Sequence, residues 1–461
     1  MRLSSAVHFI GISGIGMSAL ARILLQRGVC VSGSSDRRTA LTDRLAEEGA
    51  TVAIGHTAAN LAGAQTVVVS SAIADGNAEL CAARELGLEI LHRGELLARL
   101  MRERRGIAVA GTHGKTTTSA MLARVLEAGG LDPASIIGGE RVDTGTNARD
   151  GAGEWLIGEA DESDCSFLDL QPQIAVVTNI ENDHVASDAE MPRLSAAFER
   201  FLAQLPAEGL ALVGADEPHA AALAQFPRAC RTRTFGLSPR ASLCALQPSY
   251  DGFGSRFAVA LDRAPLGEVR LAVPGAINVF DALPSVAIGL ELGVPFATIA
   301  QALGSFPGVR RRFEILARTA RLSVVDDYAH HPTAIAATIA AARANAAGAL
   351  VVAFQPHRYT RTQYLGGEFA RALRGADYVV LTDVYAASEP PLPGVDARTI
   401  GGPLEASGVR VDYVPCVDDL PAYLLAHAPE GALVLMLGAG SITGAAARLA
   451  REVGTREAAL R

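Results

Sequence analysis

Lysine is almost missing from this 461-residue chain: of its 41 lysine and arginine residues, only Lys115 is lysine. Elsewhere surface cations are planar guanidinium forks, so a lone compact ammonium marks a place where the fork will not serve. Long apolar runs are missing too, and none approaches the ~20 residues a membrane helix needs. The stretch from Met1 to Ile10 has one arginine and a short apolar run leading into glycines, with neither the length nor the cleavage site of a signal peptide. No membrane insertion is expected. The six cysteines (Cys30, Cys81, Cys165, Cys230, Cys244 and Cys416) form no Cys-x-x-Cys pair. That spacing argues against a disulfide frame or a zinc knuckle and fits reduced thiols in a cytoplasmic protein. A basic excess is also lacking. At a net charge of −8, the chain has no surplus of cations with which to displace counterions from nucleic acid, so no nucleic-acid partner is expected.

What is present reads as α/β. A prior of ~150 residues per domain gives about three domains. The first, residues 1–105, runs from a strand at 7–10 through the glycine loop 11–16 into a helix, with further strands at 29–31 and 66–70, as a Rossmann-like parallel sheet does. The second, 106–312, opens with the strand 106–110 and continues through strands at 155–158 and 174–177 to a hairpin-rich stretch near 228–271; it reads as a P-loop ATPase-type α/β domain. The third, 313–461, alternates strands at 322–325, 350–354, 378–381 and 433–437 with alanine-rich helices, a second Rossmann-like pattern.

The chemistry concentrates at strand ends. Gly111-Thr112-His113-Gly114-Lys115-Thr116-Thr117 lies between a strand and a helix expected over 118–128. Its glycines let backbone amides curl round phosphate oxygens, Lys115 reaches the terminal phosphates and Thr116 offers a hydroxyl to Mg²⁺. Residues 159–164 (Glu-Ala-Asp-Glu-Ser-Asp) follow a second strand, where carboxylates can hold Mg²⁺ beside the phosphates. Residues 178–184, ending in His184, follow a third. Residues 326–332 and 354–361 bring carboxylates, histidines and arginines to two more strand ends, a set suited to binding a carboxylate and positioning an amine. The loop 11–16 has Ser13 where a dinucleotide fingerprint has its second glycine, so a diphosphate ligand is expected there rather than NAD.

In this order the segments resemble the Mur ligases over nearly the whole chain, through 11–16, 70–73, 111–117, 159–164, 178–184, 311–313, 326–332, 354–361 and 385–396. The resemblance is nearest to the alanine-adding step. It implies an ATP-dependent ligase that joins L-alanine to the carboxylate of UDP-N-acetylmuramate in peptidoglycan precursor synthesis, acting as a monomer or homodimer. ATP would lie on 111–117 with Asn278 at the adenine and Arg312 reaching in from across a cleft. Two Mg²⁺ ions are implied, one on Thr116 and Glu159 and the second on His184. The UDP-sugar would rest on Gly14, Ile15, Gly16, Met17 and Ser18, with Ser70, Ser71, Ala72 and Ile73 nearby. Tyr328, His330, His357, Arg358 and Arg361 would surround the amino acid, and Lys115, Arg312, Asp327 and His330 would carry the chemistry. The chain departs from the family pattern at Ser13, Ala186, Ile277, Asp281 and Ser441. The alternatives are a ligase recycling an intact tripeptide onto the same nucleotide sugar and a non-catalytic UDP-sugar sensor.

Overall fold

The computed structural model describes residues 4–182 and 191–460, with side chains as far as 455. Three sheets follow one another along the chain. The first contains β1 (Ala6–Ile10), β2 (Cys30–Ser35), β3 (Thr51–Ile54), β4 (Thr66–Val69) and β5 (Glu89–His92), all parallel, in the order β3-β2-β1-β4-β5. Strand order reverses between β1 and β4, and a crevice opens beyond carboxyl ends at such a switch. The loops 11–16 and 70–73 both start there. They are near neighbours: a Cβ on Gly11 would lie 3.3 Å from Ile73 Cδ1. The sequence reading lacks β3 and β5 because both are short, partly exposed edge strands with little apolar signal.

Among the described residues the central sheet has ten strands: β6 (Arg105–Ala110), β7 (Ala134–Ile136), β8 (Ala148–Arg149), β9 (Trp155–Glu159), β10 (Ile174–Val177), β11 (Leu210–Gly214), β12 (Arg231–Gly236), β13 (Leu243–Asp251), β14 (Gly254–Leu261) and β15 (Ala264–Leu271). Their order is β15-β14-β13-β12-β11-β10-β6-β9-β7-β8. β6 sits between β10 and β9, parallel to both, and Ile107 to Ala110 are wholly buried. Strands buried on both faces read as continuous apolar runs, which is why β6, β9 and β10 are visible in the sequence. The hairpin-rich stretch forms the antiparallel meander β13-β14-β15.

The third sheet, β16 (Glu314–Arg318), β17 (Leu322–Asp327), β18 (Leu350–Phe354), β19 (Tyr378–Leu381), β20 (Arg410–Tyr413) and β21 (Ala432–Leu437), runs β16-β17-β21-β18-β19-β20. It is parallel except for its antiparallel edge strand β16. Among the described residues no helix is long and apolar enough to cross a membrane.

The first two units share one apolar core, in which Val7 and Phe9 of β1 belong with Ala108 and Ala110 of β6. A polar tie reinforces it. Arg22, 2% exposed on the helix Ile15–Gln26, bonds Glu48 Oε2 at 2.8 Å and Asn147 Oδ1 at 2.6 Å. Asn147 in turn donates to the Ile15 carbonyl at 2.8 Å and Ser18 Oγ at 3.1 Å. Removing the guanidinium leaves the buried Asn147 oxygen without this donor, whereas the exposed Glu48 is left to water. Arg22→Ala is expected to lower unfolding free energy by about 2 kcal/mol, read from the urea midpoint.

Candidate active site

The phosphate loop leaves β6 with Gly111 at φ +122° and Gly114 at φ +85°. A Cβ on Gly111 would lie 2.1 Å from Thr178 Oγ1, and one on Gly114 would lie 2.3 Å from Asp281 Oδ1. Conformation and space therefore both demand glycine. Gly114 caps the helix Lys115–Ala128, which starts three residues earlier than the sequence implies because the left-handed glycine lets the chain turn at once into the helix. The N–H groups of Lys115, Thr116 and Thr117 fall in its first turn, where no intrahelical acceptor exists.

Lys115 Nζ lies 2.8 Å from Glu162 Oε2 and also donates to the Gly111 carbonyl. Burial works against this ammonium. The charge and hydrogen bond of Glu162, with the charges of Asp161 and Glu159, outweigh it and raise the lysine above its ordinary value. Glu159, at the end of β9, accepts from Thr116 Oγ1 at 3.1 Å and from the Gly138 N–H at 2.5 Å. Burial pushes its carboxyl up, against the Gly138 bond and the charges of Lys115 and Arg312. A buried carboxylate beside a hydroxyl supplies the hard oxygen donors Mg²⁺ takes, so these residues fit such an ion. His184 lies outside the described residues.

Across the cleft, Asp327 ends β17 with both oxygens engaged, by the Phe313 N–H and the Ala329 N–H at 2.7 Å each. Burial raises its pKa, opposed by the Arg312 charge and these two bonds. Asp327 thus fixes the backbone on either side of Arg312 and Tyr328. The Arg311 and Arg312 guanidiniums both stand 4.9 Å from the Tyr328 ring centroid. His330 donates from Nδ1 to the Tyr328 carbonyl at 2.9 Å, and its ring lies 5.0 Å from Tyr328 and 5.6 Å from His357. His357 stacks on Tyr385, and Arg361 Nη1 lies 3.5 Å from His357 Nδ1. Arg358, at φ +71°, caps the helix Tyr359–Leu373.

One cavity of about 1010 Å³ joins these groups, lined by Ile15, Gly16, residues 112–117, Glu159, Asn278, Arg312, Asp327, Tyr328 and His330. Asn278 donates to the Pro274 carbonyl at 2.7 Å. Not every expected residue reaches this space. Met17 and Ser18 are buried, with Ser18 Oγ donating to the Ile15 carbonyl and its N–H to the Gly14 carbonyl, and neither residue is on the lining. Residues 70–73 lie beside the glycine loop, outside the cavity lining, and Ser71 Oγ donates to Asp164 at 2.9 Å. His357, Arg358 and Arg361 likewise stand behind His330 rather than on the lining.

Three residues with no assigned role in the sequence reading now stand out. Glu162, 4% exposed, is the partner of Lys115, and only the fold distinguishes it from the other acids of its run. Arg93, on the first unit, pairs with Asp161 and lies 3.3 Å from Asp164; nothing in its local sequence signals this. Asp281 is buried against Gly114, with Oδ1 lacking a hydrogen-bond partner among the described residues. Burial lifts its pKa well above the ordinary value despite the charge of Arg312.

Asp326, beside Asp327, is pushed by burial to about 6, against the Thr443 hydrogen bond and the Arg311 charge. In the unfolded chain it titrates at its ordinary 3.8. Its contribution is therefore fully present below that value and is lost as pH rises through about 6, because ionising it in the folded state costs more. Asp326→Asn should remove this dependence. The stability difference between variant and parent should shift by about 2 kcal/mol between the two ends of that window, measured by urea unfolding at each pH.

Comparison with known proteins agrees with this architecture. Residues 6–105 match the model of the Mur ligase family catalytic domain, 109–289 the Mur ligase middle domain and 311–440 the Mur ligase glutamate ligase domain. The chain is 47% identical over 448 residues to a UDP-N-acetylmuramate–L-alanine ligase of Acidithiobacillus ferrooxidans, covering 96% of each chain. It is 48% identical over 456 residues to one of Bordetella petrii, covering 95% of this chain and 96% of the other. Among solved structures, the UDP-N-acetylmuramate-alanine ligase of Thermotoga maritima matches with a TM-score of 0.85 at 30% identity, over 98% of this chain and 99% of that one. A murein peptide ligase of Psychrobacter arcticus shares the fold with a TM-score of 0.74 at 24% identity, over 97% of this chain and 98% of that one. The chain belongs to the Mur ligase family.

Proposed function

We propose that this chain is a cytoplasmic ATP-dependent ligase that joins the amine of L-alanine to the carboxylate of UDP-N-acetylmuramate through an acyl phosphate, releasing ADP and phosphate. The observation that carries the reading is that Lys115, paired with Glu162, and Glu159 line one cavity to which all three units contribute. The relatives named above, at 47–48% identity over nearly the whole chain, support the same substrates.

A carboxylate is a poor electrophile, because its charge repels an amine and it has no leaving group. Transfer of the γ-phosphoryl group of ATP to it forms a C–O–P linkage. The amine then attacks the carbonyl, loses a proton, and phosphate departs. Lys115 binds the phosphates and offsets charge on the transferring group, and Arg312 approaches from the opposite wall. Mg²⁺, held by Thr116 and Glu159 with a second ion at His184, would supply further charge neutralisation on the phosphates. Residues 1–105 hold the sugar nucleotide, 106–312 hold ATP, and 313–461 hold the amino acid near Tyr328 and His330. Because Asp327 has both oxygens engaged by backbone N–H groups, its role is to position Arg312 and Tyr328. His330 is then the better placed proton acceptor for the amine. A cleft built between units keeps water from the acyl phosphate when it closes.

Lys115→Met is expected to lower kcat by about 10³-fold or more while circular dichroism stays unchanged; near-normal turnover would refute the assignment. With ATP, Mg²⁺ and UDP-N-acetylmuramate present, phosphate release should respond to L-alanine well above glycine, L-serine and the intact tripeptide. Preference for the tripeptide would move the chain to the recycling reaction, and no release with any acceptor would favour the sensor.

A further inference from the structure

His113, Glu181 and His331 come together from three separate stretches of chain. His113 Nε2 lies 3.4 Å from Glu181 Oε2, and His331 Nδ1 lies 3.8 Å from the same oxygen. All three ligand atoms fall within 4.8 Å of one another. The two rings stand with centroids 5.2 Å apart, tilted by 34°. A tetrahedral ion with bonds of ~2.0–2.2 Å has ligand–ligand edges of about 3.4 Å. The observed spacing therefore needs only a small inward movement to accept one.

The three groups are held independently. The His113 N–H donates to Asn179 Oδ1 at 2.8 Å, and its carbonyl accepts from Thr178 Oγ1 at 2.6 Å. The Glu181 N–H donates to Thr112 Oγ1 at 2.8 Å, which ties the glutamate to the phosphate loop. His331 caps the helix Pro332–Asn345 of the third unit, with its carbonyl accepting from the Ile335 N–H at 2.9 Å. Two ligands thus belong to the central unit and one to the unit across the cleft.

We infer that His113, Glu181 and His331 form a binding site for a divalent transition metal of the zinc class, one that spans the cleft and staples the central and C-terminal units together. Two imidazole nitrogens and one carboxylate oxygen, with a fourth position open, suit Zn²⁺; Mg²⁺ prefers an all-oxygen octahedron. The site is chemically distinct from the oxygen pair Thr116 and Glu159. Its occupation opposes opening of the cleft.

The test uses the full chain carrying Glu159→Gln, which silences the oxygen site, stripped with chelator and titrated with Zn²⁺ by calorimetry without nucleotide. One equivalent is expected to bind with a matching rise in Tm. X-ray absorption at the zinc edge should show two imidazoles. Loss of even an outer-shell partner costs roughly 10–100-fold in metal affinity, so His331→Ala and, separately, Glu181→Gln should each weaken binding by at least about tenfold and abolish the Tm rise. Metal-free Tm values establish that each variant folds, and Glu181→Gln serves if His331→Ala does not. Zn²⁺ affinity unchanged in a folded variant, or a spectrum without two imidazoles, overturns the site.

Discussion

A single half-buried ammonium governs this molecule. Lys115 is held against Glu162, with Glu159 and Asp161 close enough to add to the field. Taking charges out of water costs more than an ion pair returns in stability, so a well-packed apolar substitute would serve the fold as well. The pair makes sense as a poised site. Phosphate oxygens offer the ammonium the same kind of partner as Glu162 does, so a triphosphate can enter without leaving the cation exposed or unpaired. The two glycines, each with its Cβ position already filled by a neighbour, keep the backbone close enough for that exchange.

Everything around the ammonium follows from where parallel strands end. β6 lies between β9 and β10, so Glu159 and Thr178 flank the loop from either side. The strand-order reversal between β1 and β4 opens a second crevice in the first unit, and β17 delivers Asp327 and Tyr328 from the third. The first two units are joined by a common core and by the Arg22–Asn147 tie. The third unit meets the central one through apolar packing, with Phe253 in the core of Phe313 and Ile339, and through the charged groups that line the cavity.

The cleft also gathers buried carboxyls. Asp281, Asp326 and Asp327 all have pKa values raised by burial, and Arg311 or Arg312 opposes the rise in each. The buried surroundings thus disfavour negative charge at all three positions, and the two arginines supply the opposing cations.

By itself the sequence determined the class of fold, the phosphate loop and the strands that carry it, because strands buried on both faces and glycine-bracketed loops leave signals within a few residues. It also singled out Lys115 through composition alone. It could not show β3, β5, β16 or β20, short strands at or near sheet edges whose half-exposed sequences carry little periodicity. Only the tertiary structure decided that Glu162, rather than its acidic neighbours, answers the lysine, that both oxygens of Asp327 are engaged by backbone, and that His113, Glu181 and His331 meet. The lysine–glutamate pair and the His113, Glu181 and His331 cluster join residues far apart in the chain. Their distances are set by how whole sheets pack, and no local pattern of residues encodes that.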